Sequence, residues 1–284
     1  MILEACVIIG VAVAAAGLEH LYRSRQIPDI DIPNAPGRKL WYGYYGRIGN
    51  QVAETKDHIN LLWESQFEGI EKASASILEA KMDTVLDVHV QLFNDPANGK
   101  DFTLRIDAPA KLREAFDYLR GTGALSYVKI LYPVDEPNTM VESPKDLLEA
   151  IRILKAVSLE YKELSGVKYA VIYAAKPASY TCYEEYDYIG INDYQFKSQI
   201  FINGTYQSIK DLGKQTFLVP GGAFGQDPKP FLNFANSNPE VVAIIPFVWF
   251  GPQINADNWI GIRDQEIRKQ AYIETGKSII ETTQ

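Results

Sequence analysis

From Lys39 onward, short runs of apolar and β-branched residues alternate with stretches whose apolar positions recur three and four residues apart. The first kind reads as buried strands and the second as amphipathic helices. Strands are expected at Lys39–Gly46, His58–Trp63 (Glu64 just beyond it), Thr84–Phe93, Tyr127–Glu136, Val167–Ala175, Tyr188–Tyr194, Thr216–Pro220 and Val241–Phe250. Helices are expected between them at Gln51–Ile59, Phe67–Lys81 and Ala110–Leu119, then from Ser143 to about Leu164. A short helix or turn falls at 180–186, shorter helical pieces at Ile209–Gly213 and Pro230–Ala235, and Gln265–Ile280 closes the chain. The faces are explicit: Ile70, Ala73, Ile77 and Ala80 line one helix, and Leu112, Ala115, Phe116 and Leu119 another. Ser143 is an N-cap and Pro144 sits at the first helical position.

Eight strands alternating with about eight helices over roughly 245 residues is the size and order of a (β/α)₈ barrel. The competing architecture, an open doubly wound sheet, needs a Gly-rich phosphate turn after its first strand. Tyr45–Asn50 has two glycines there but no GxGxxG pattern.

Ahead of the barrel (39–284) lie a hydrophobic segment, 1–25, and an extended linker, 26–38, with three prolines. Residues 5–18 are uninterruptedly apolar, which is short of the about 20 needed to cross a bilayer. Small residues around Ala12–Ala16 suit signal cleavage, but no basic stretch precedes the run. Arg23 and Arg25 come after it and by the positive-inside rule keep the downstream domain on the cytoplasmic side. Three readings stay open: a membrane anchor or uncleaved signal, a cleaved signal, and an apolar helix packed on the domain or on a protein partner. The expected location is membrane-associated or secreted, with orientation open.

A formal net charge of −8 argues against nucleic acid as a partner. Two distant cysteines, Cys6 and Cys182, give no disulfide framework, and His20, His58 and His89 lack the spacing of a zinc site. No metal and no cofactor is expected. The 17 Tyr and 4 Trp matter more, because several fall at predicted strand ends. Aromatic faces at a binding edge suit flat, partly apolar ligands such as sugar rings.

The fourth strand carries the clearest chemistry. It ends in Asp135-Glu136-Pro137, where Pro137 lacks an N–H and restricts Glu136 to extended conformations. Two adjacent carboxylates therefore sit at the C-terminal tip of a strand, the end at which a barrel assembles its active site. Other strand ends bring Tyr44, Tyr45, Trp63, Glu64, Asp87, His89, Gln91, Tyr173, Lys176, Asn192, Asp193, Tyr194 and Trp249 to that edge, with Gln226 and Asp227 beyond the seventh. Asp87, His89 and Gln91 are expected on one face of the third strand. Acids, amides and aromatics on one rim fit a saccharide cleft.

At this point the chain resembles the (β/α)₈ glycoside hydrolases, particularly the cellulase-like clan. In that clan the acid/base glutamate ends the fourth strand, commonly within Asn-Glu-Pro. The resemblance implies that Glu136 is the acid/base, with Asp135 in place of the usual Asn, and that Trp249 is the eighth-strand tryptophan. It implies oligosaccharide or polysaccharide as partner. The clan's nucleophile, a glutamate ending the seventh strand, has no counterpart in Phe217–Ala223. One explanation is a carboxylate from another strand, Asp193 first and Asp87 or Asp227 behind it. A second is substrate assistance: Asp135, Glu136 and Tyr194 look like the set in N-acetylhexosaminidases and, more distantly, chitinases, although DxxDxDxE is absent. A third is a barrel that binds glycan, or serves as a structural subunit, without catalysis.

The expectation is an acid/base Glu136 tuned by Asp135, Asp193 as the second carboxylate, and a sugar site of Tyr45, Trp63, Asp87, His89, Asn192, Tyr194 and Trp249. Glu136 is expected to hold its proton because of the charge beside it and burial against aromatic rings. A metal-dependent hydrolase or lyase using Asp87, His89, Glu136 and Asp193 is the remaining alternative.

Overall fold

A computed structural model describes residues 38–45, 52–65, 69–94, 102–141, 143–174, 180–192, 194, 206–250 and 260–283. The barrel belongs to a compact unit of residues 34–284. The hydrophobic segment 1–25 and the linker to residue 37 lie outside the described residues. Among the described residues no helix is long and apolar enough to cross a membrane.

The barrel strands are β1 (Trp41–Tyr42), β2 (Leu61–Ser65), β3 (Asp83–Asp87), β4 (Val128–Tyr132), β5 (Lys168–Ala174), β6 (Tyr188–Asn192), β7 (Gln215–Leu218) and β8 (Val241–Ile244), and a separate antiparallel pair joins Phe93–Asn94 to Thr103–Leu104. The barrel strands form one eight-stranded sheet of parallel pairs in the order β1-β8-β7-β6-β5-β4-β3-β2, so sequence order is spatial order and β1 returns to β8. This is the (β/α)₈ barrel that the alternation predicts. Asn60, just before β2, joins the remaining seam. Its N–H donates to Tyr42 O at 2.9 Å, its Oδ1 accepts from Tyr42 N at 2.6 Å, and its Nδ2 donates to Leu40 O at 3.0 Å. Gly43 permits the approach, since a Cβ there would lie 2.1 Å from Leu61 O.

The helices are α1 (Val52–Thr55), α2 (Ile70–Ala80), α3 (His89–Leu92), α4 (Ala108–Thr122), α5 (Pro137–Met140), α6 (Pro144–Ser158), α7 (206–211), α8 (Lys229–Ser237) and α9 (Glu266–Thr283). Strand alternation sorts the apolar side chains into two layers. Leu61, Trp63, Val85, Ile130, Ile172 and Phe217 fill the barrel interior. Leu62, Leu86, Leu131, Val171 and Ile189 face outward, where Ile77, Phe116 and Leu154 of the helices cover them. Each such side chain contributes about 1.5–3 kcal/mol on burial. Ser143 caps α6 by accepting from Asp146 N at 3.4 Å.

Two of the boundaries that differ from expectation bear on the site and the helix beside it. The third strand stops at Asp87, because that carboxylate accepts the His89 N–H at 3.0 Å and turns the chain into α3. Asp87, His89 and Gln91 therefore do not share a strand face. The helix that starts at Ser143 ends at Ser158, whose hydroxyl donates back to Lys155 O at 2.9 Å, and a separate 3₁₀ turn covers Lys162–Leu164.

Candidate active site

Inward-facing parity on β4 runs through Ile130 and Tyr132. Beyond Pro133, Asp135 bridges to Ile172 of β5 and directs its carboxylate at the phenols of Tyr45 and Tyr132. Tyr132 donates at 2.8 Å, and Tyr45 donates from beyond β1, where it bridges to Phe247 past β8. The two hydroxyls are 3.3 Å apart, and the Trp63 ring stands 4.7 Å from each phenol ring. Burial among these rings pushes the Asp135 carboxyl from its ordinary 3.8 up to about 7. The hydrogen bonds from Tyr45 and Tyr132 oppose that rise, while the charges of Glu136 and Asp87 add to it. Burial also raises both phenols, so they remain donors. Asp135 is thus a carboxyl that keeps its proton near neutral pH.

Glu136 takes a left-handed backbone, φ 40° and ψ 55°, immediately before Pro137 opens α5. A non-glycine residue in this region costs on the order of 1–3 kcal/mol and marks functional sites. The turn is pinned at both ends: Glu136 N donates to Ile172 O at 3.0 Å, and Asn138 Oδ1 accepts from Ala174 N at 3.0 Å. The consequence is geometric. Regular strand alternation sends neighbouring side chains to opposite faces, and the left-handed residue breaks it. Asp135 reaches the phenols of Tyr45 and Tyr132, and Glu136 reaches Asn192, which ends β6 with inward parity.

Asn192 donates from Nδ2 to Glu136 Oε1 at 2.9 Å, and its Oδ1 accepts from the Tyr194 hydroxyl at 2.6 Å. The phenol thereby orients the amide, and the amide holds the carboxylate. Tyr194 itself lies on Gly221, three residues beyond β7, where a Cβ would come 2.9 Å from the tyrosine Cβ. Within the stretch Phe217–Ala223, which carries no carboxylate, Gly221 is thus covered by the Tyr194 ring. Gln226 accepts from Gly221 N and Asp227 accepts from Lys229 N, so both serve the loop after β7.

Asp87 ends β3 with inward parity and acts electrostatically on Asp135. It also holds His89 Nδ1 at 3.0 Å, with both side chains buried. The structure therefore brings Tyr45, Trp63, Asp87, Asp135, Glu136, Asn192 and Tyr194 to one end of the barrel, with His89 attached through Asp87. Trp249 is elsewhere. Its indole is 1% exposed in the outer layer, 4.9 Å from the Tyr44 ring and 5.2 Å from His58, and it donates to Glu54 at 3.1 Å. The strand register that would aim it inward stops at Ile244. Tyr173 is also outward, donating to Thr181 O at 2.6 Å. Asp193 and Lys176 lie outside the described residues.

Sequence reasoning missed Tyr132, Phe224 and Phe247. Tyr132 was legible, because it shares inward parity with Ile130. Phe247 was hidden in the run Ile244–Phe250, where several apolar residues compete for one inward position. Among the described residues, no group of three His, Cys, Asp or Glu side chains gathers closely enough to hold a metal ion.

No family model matches the chain, and no curated protein matches it. Solved structures do. A β-1,3-glucanosyltransferase of Rhizomucor miehei, an active-site mutant in complex with laminaritriose, aligns over 78% of this chain and 92% of its own with TM-score 0.54 and 14% identity. A β-1,4-mannanase of family GH113 aligns over 87% of this chain and 99% of its own, with TM-score 0.51 and 10% identity. A β-glucuronidase of Parabacteroides merdae aligns over 80% of this chain, TM-score 0.53 and 10% identity, but this chain spans only 35% of its length. At such identities the shared property is the fold, a TIM barrel of the kind glycoside hydrolases use.

Proposed function

We propose that this barrel cleaves a glycan at the C-terminal edge of its strands, with Glu136 as general acid/base. The supporting observation is the pair itself. Glu136 is held at 2.9 Å by Asn192, and beside it Asp135 sits at about 7 between two phenols. Acid catalysis near neutral pH needs a carboxyl that keeps a proton and a partner that tunes it. The Glu136 charge is among the causes that raise the Asp135 carboxyl, so the two groups act on each other electrostatically. In this reading Glu136 protonates the glycosidic oxygen, Asp135 orients the substrate, and Tyr45, Trp63, Asp87, His89 and Tyr194 line the sugar. Asp193 supplies the second carboxylate in a two-carboxylate reaction, while an N-acetylated substrate supplies its own nucleophile. The apolar run 5–18 holds the barrel at a membrane or on a protein partner.

A second reading, a barrel that binds glycan without cleaving it, draws on the lack of a carboxylate in Phe217–Ala223, where Gly221 lies beneath Tyr194. A hydrolysis screen separates the two. The full chain and Glu136→Gln are offered β-linked oligosaccharides, neutral and N-acetylated. Catalysis by Glu136 predicts turnover by the parent and a loss of about 10²- to 10⁴-fold in the variant. Binding without turnover by either protein selects the second reading.

A further inference from the structure

Three aromatic rings at the C-terminal edge lie nearly parallel. Tyr194 and Phe224 stack at 4.9 Å and 17°, Tyr194 and Phe247 at 5.1 Å and 23°, and Phe224 and Phe247 are 6.1 Å apart at 14°. The stack is tied by backbone. Ala223 N donates to Phe247 O at 2.7 Å, and Phe224 N and Gly225 N each donate back across the 3₁₀ turn at 3.0 Å. Gly225, at φ 82°, ends that turn in a conformation glycine adopts without strain. Phe224 is nonetheless 41% exposed. The stacking fixes the orientation of the Phe224 ring while part of the residue stays at the surface.

The platform is continuous with the candidate acid. Tyr194 is at once part of the stack and the donor to Asn192, which holds Glu136. We propose that the Phe224 face, backed by Tyr194 and Phe247, is a subsite for a pyranose ring adjoining the reacting bond; this rests on the glycan reading of the same edge. A pyranose offers a weakly apolar C–H face to an aromatic ring and hydroxyls around its rim. The polar groups beside the platform, Asn192, Glu136 and Asp135, suit those hydroxyls. An acyl chain or apolar peptide would offer these groups nothing in exchange for the water it displaces from them.

The test is isothermal titration of the full chain carrying Glu136→Gln with laminaritriose, β-1,4-mannotriose and chitotriose, and of the same chain with Phe224→Ala or Phe224→Trp added. Phe224 is exposed, so the variants are expected to fold, which circular dichroism checks. The expected result is binding of at least one trisaccharide, weakened roughly 3- to 10-fold by Phe224→Ala and kept by Phe224→Trp. Equal affinity with and without the Phe224 ring overturns the subsite even where the parent hydrolyses glycan. Phe224-dependent binding in a parent that never hydrolyses keeps the subsite and removes the catalytic reading. Binding of none of the three by any variant overturns the subsite, and turnover by the parent in the hydrolysis screen then still decides the catalytic reading.

Discussion

Asn192 and Glu136 are joined across β5 by a 2.9 Å hydrogen bond from the amide Nδ2 to Oε1. The partner oxygen of the amide is occupied by the Tyr194 hydroxyl, so the amide cannot turn over without losing a bond. Hydrogen bonds to charged groups are worth about 1.5–3 kcal/mol. Asn192→Ala is expected to lower the hydrolysis rate about 10- to 100-fold, because Glu136 loses its fixed position. Tyr194→Phe, which keeps the amide and removes only its orientation, is expected to cost less. Steady-state kinetics on the substrate found in the screen checks both, and an unchanged rate in Asn192→Ala refutes the positioning role.

Gly221 carries the Tyr194 ring where a side chain would stand. A methyl group there meets Tyr194 Cβ and Cδ1 at 2.9 Å and its Cα at 3.2 Å. Overpacking of this kind costs about 1–3 kcal/mol and moves the ring. Gly221→Ala is expected to lose that much unfolding free energy in urea and to weaken the near-ultraviolet dichroism of the stacked rings. Parent-like values in both would mean that Tyr194 does not rest on this glycine.

The reach of the sequence is set by where regular periodicity holds. The barrel was legible because eight apolar runs and their intervening helices keep strict periods, and Asp135 and Glu136 because Pro137 ends a strand there. What failed lies where the period breaks. Glu136, expected to be extended before Pro137, is left-handed instead and brings both carboxylates to partners on the barrel's inner side. Asp87 bends the chain into α3 and takes His89 off the strand face. Trp249 comes after a strand that has already stopped at Ile244, so its side had to come from packing against Tyr44 and His58. The covering of Gly221 by Tyr194 is a contact between two loops, which no local pattern encodes.

Asp135 makes stability depend on pH in a stated direction. In the unfolded chain its carboxyl ionises near 3.8, and in the fold at about 7. Between those values the folded protein holds the extra proton. The favourable contribution is complete below about pH 4 and disappears as pH rises through 7. Asp135→Asn keeps an oxygen to accept from the two phenols and removes the buried charge. It is expected to be more stable than the parent at pH 8, by on the order of 1–4 kcal/mol, and to flatten the fall between pH 4 and 7. Urea unfolding at pH 4, 5.5 and 8 measures this; a variant less stable than the parent at pH 8 contradicts it.

The Tyr45 hydroxyl is the stronger of the two bonds that pull the Asp135 carboxyl down. It donates to the ionised form and so favours it, against the desolvation that dominates the site. Tyr45→Phe removes that donor and keeps the ring against Trp63. The expected result is an Asp135 titration midpoint above the parent's value of about 7, with the pH-dependent loss of stability shifted the same way. Tyr132→Phe is expected to act in the same direction and less strongly, since its bond is the weaker influence. Carbon-detected titration of the aspartate carboxyl in the parent and both variants reads the order directly. A midpoint that falls in Tyr45→Phe would mean that the phenol, once removed, admits water to the carboxylate, and that the enclosure of Asp135 rests on the hydroxyl rather than on the rings.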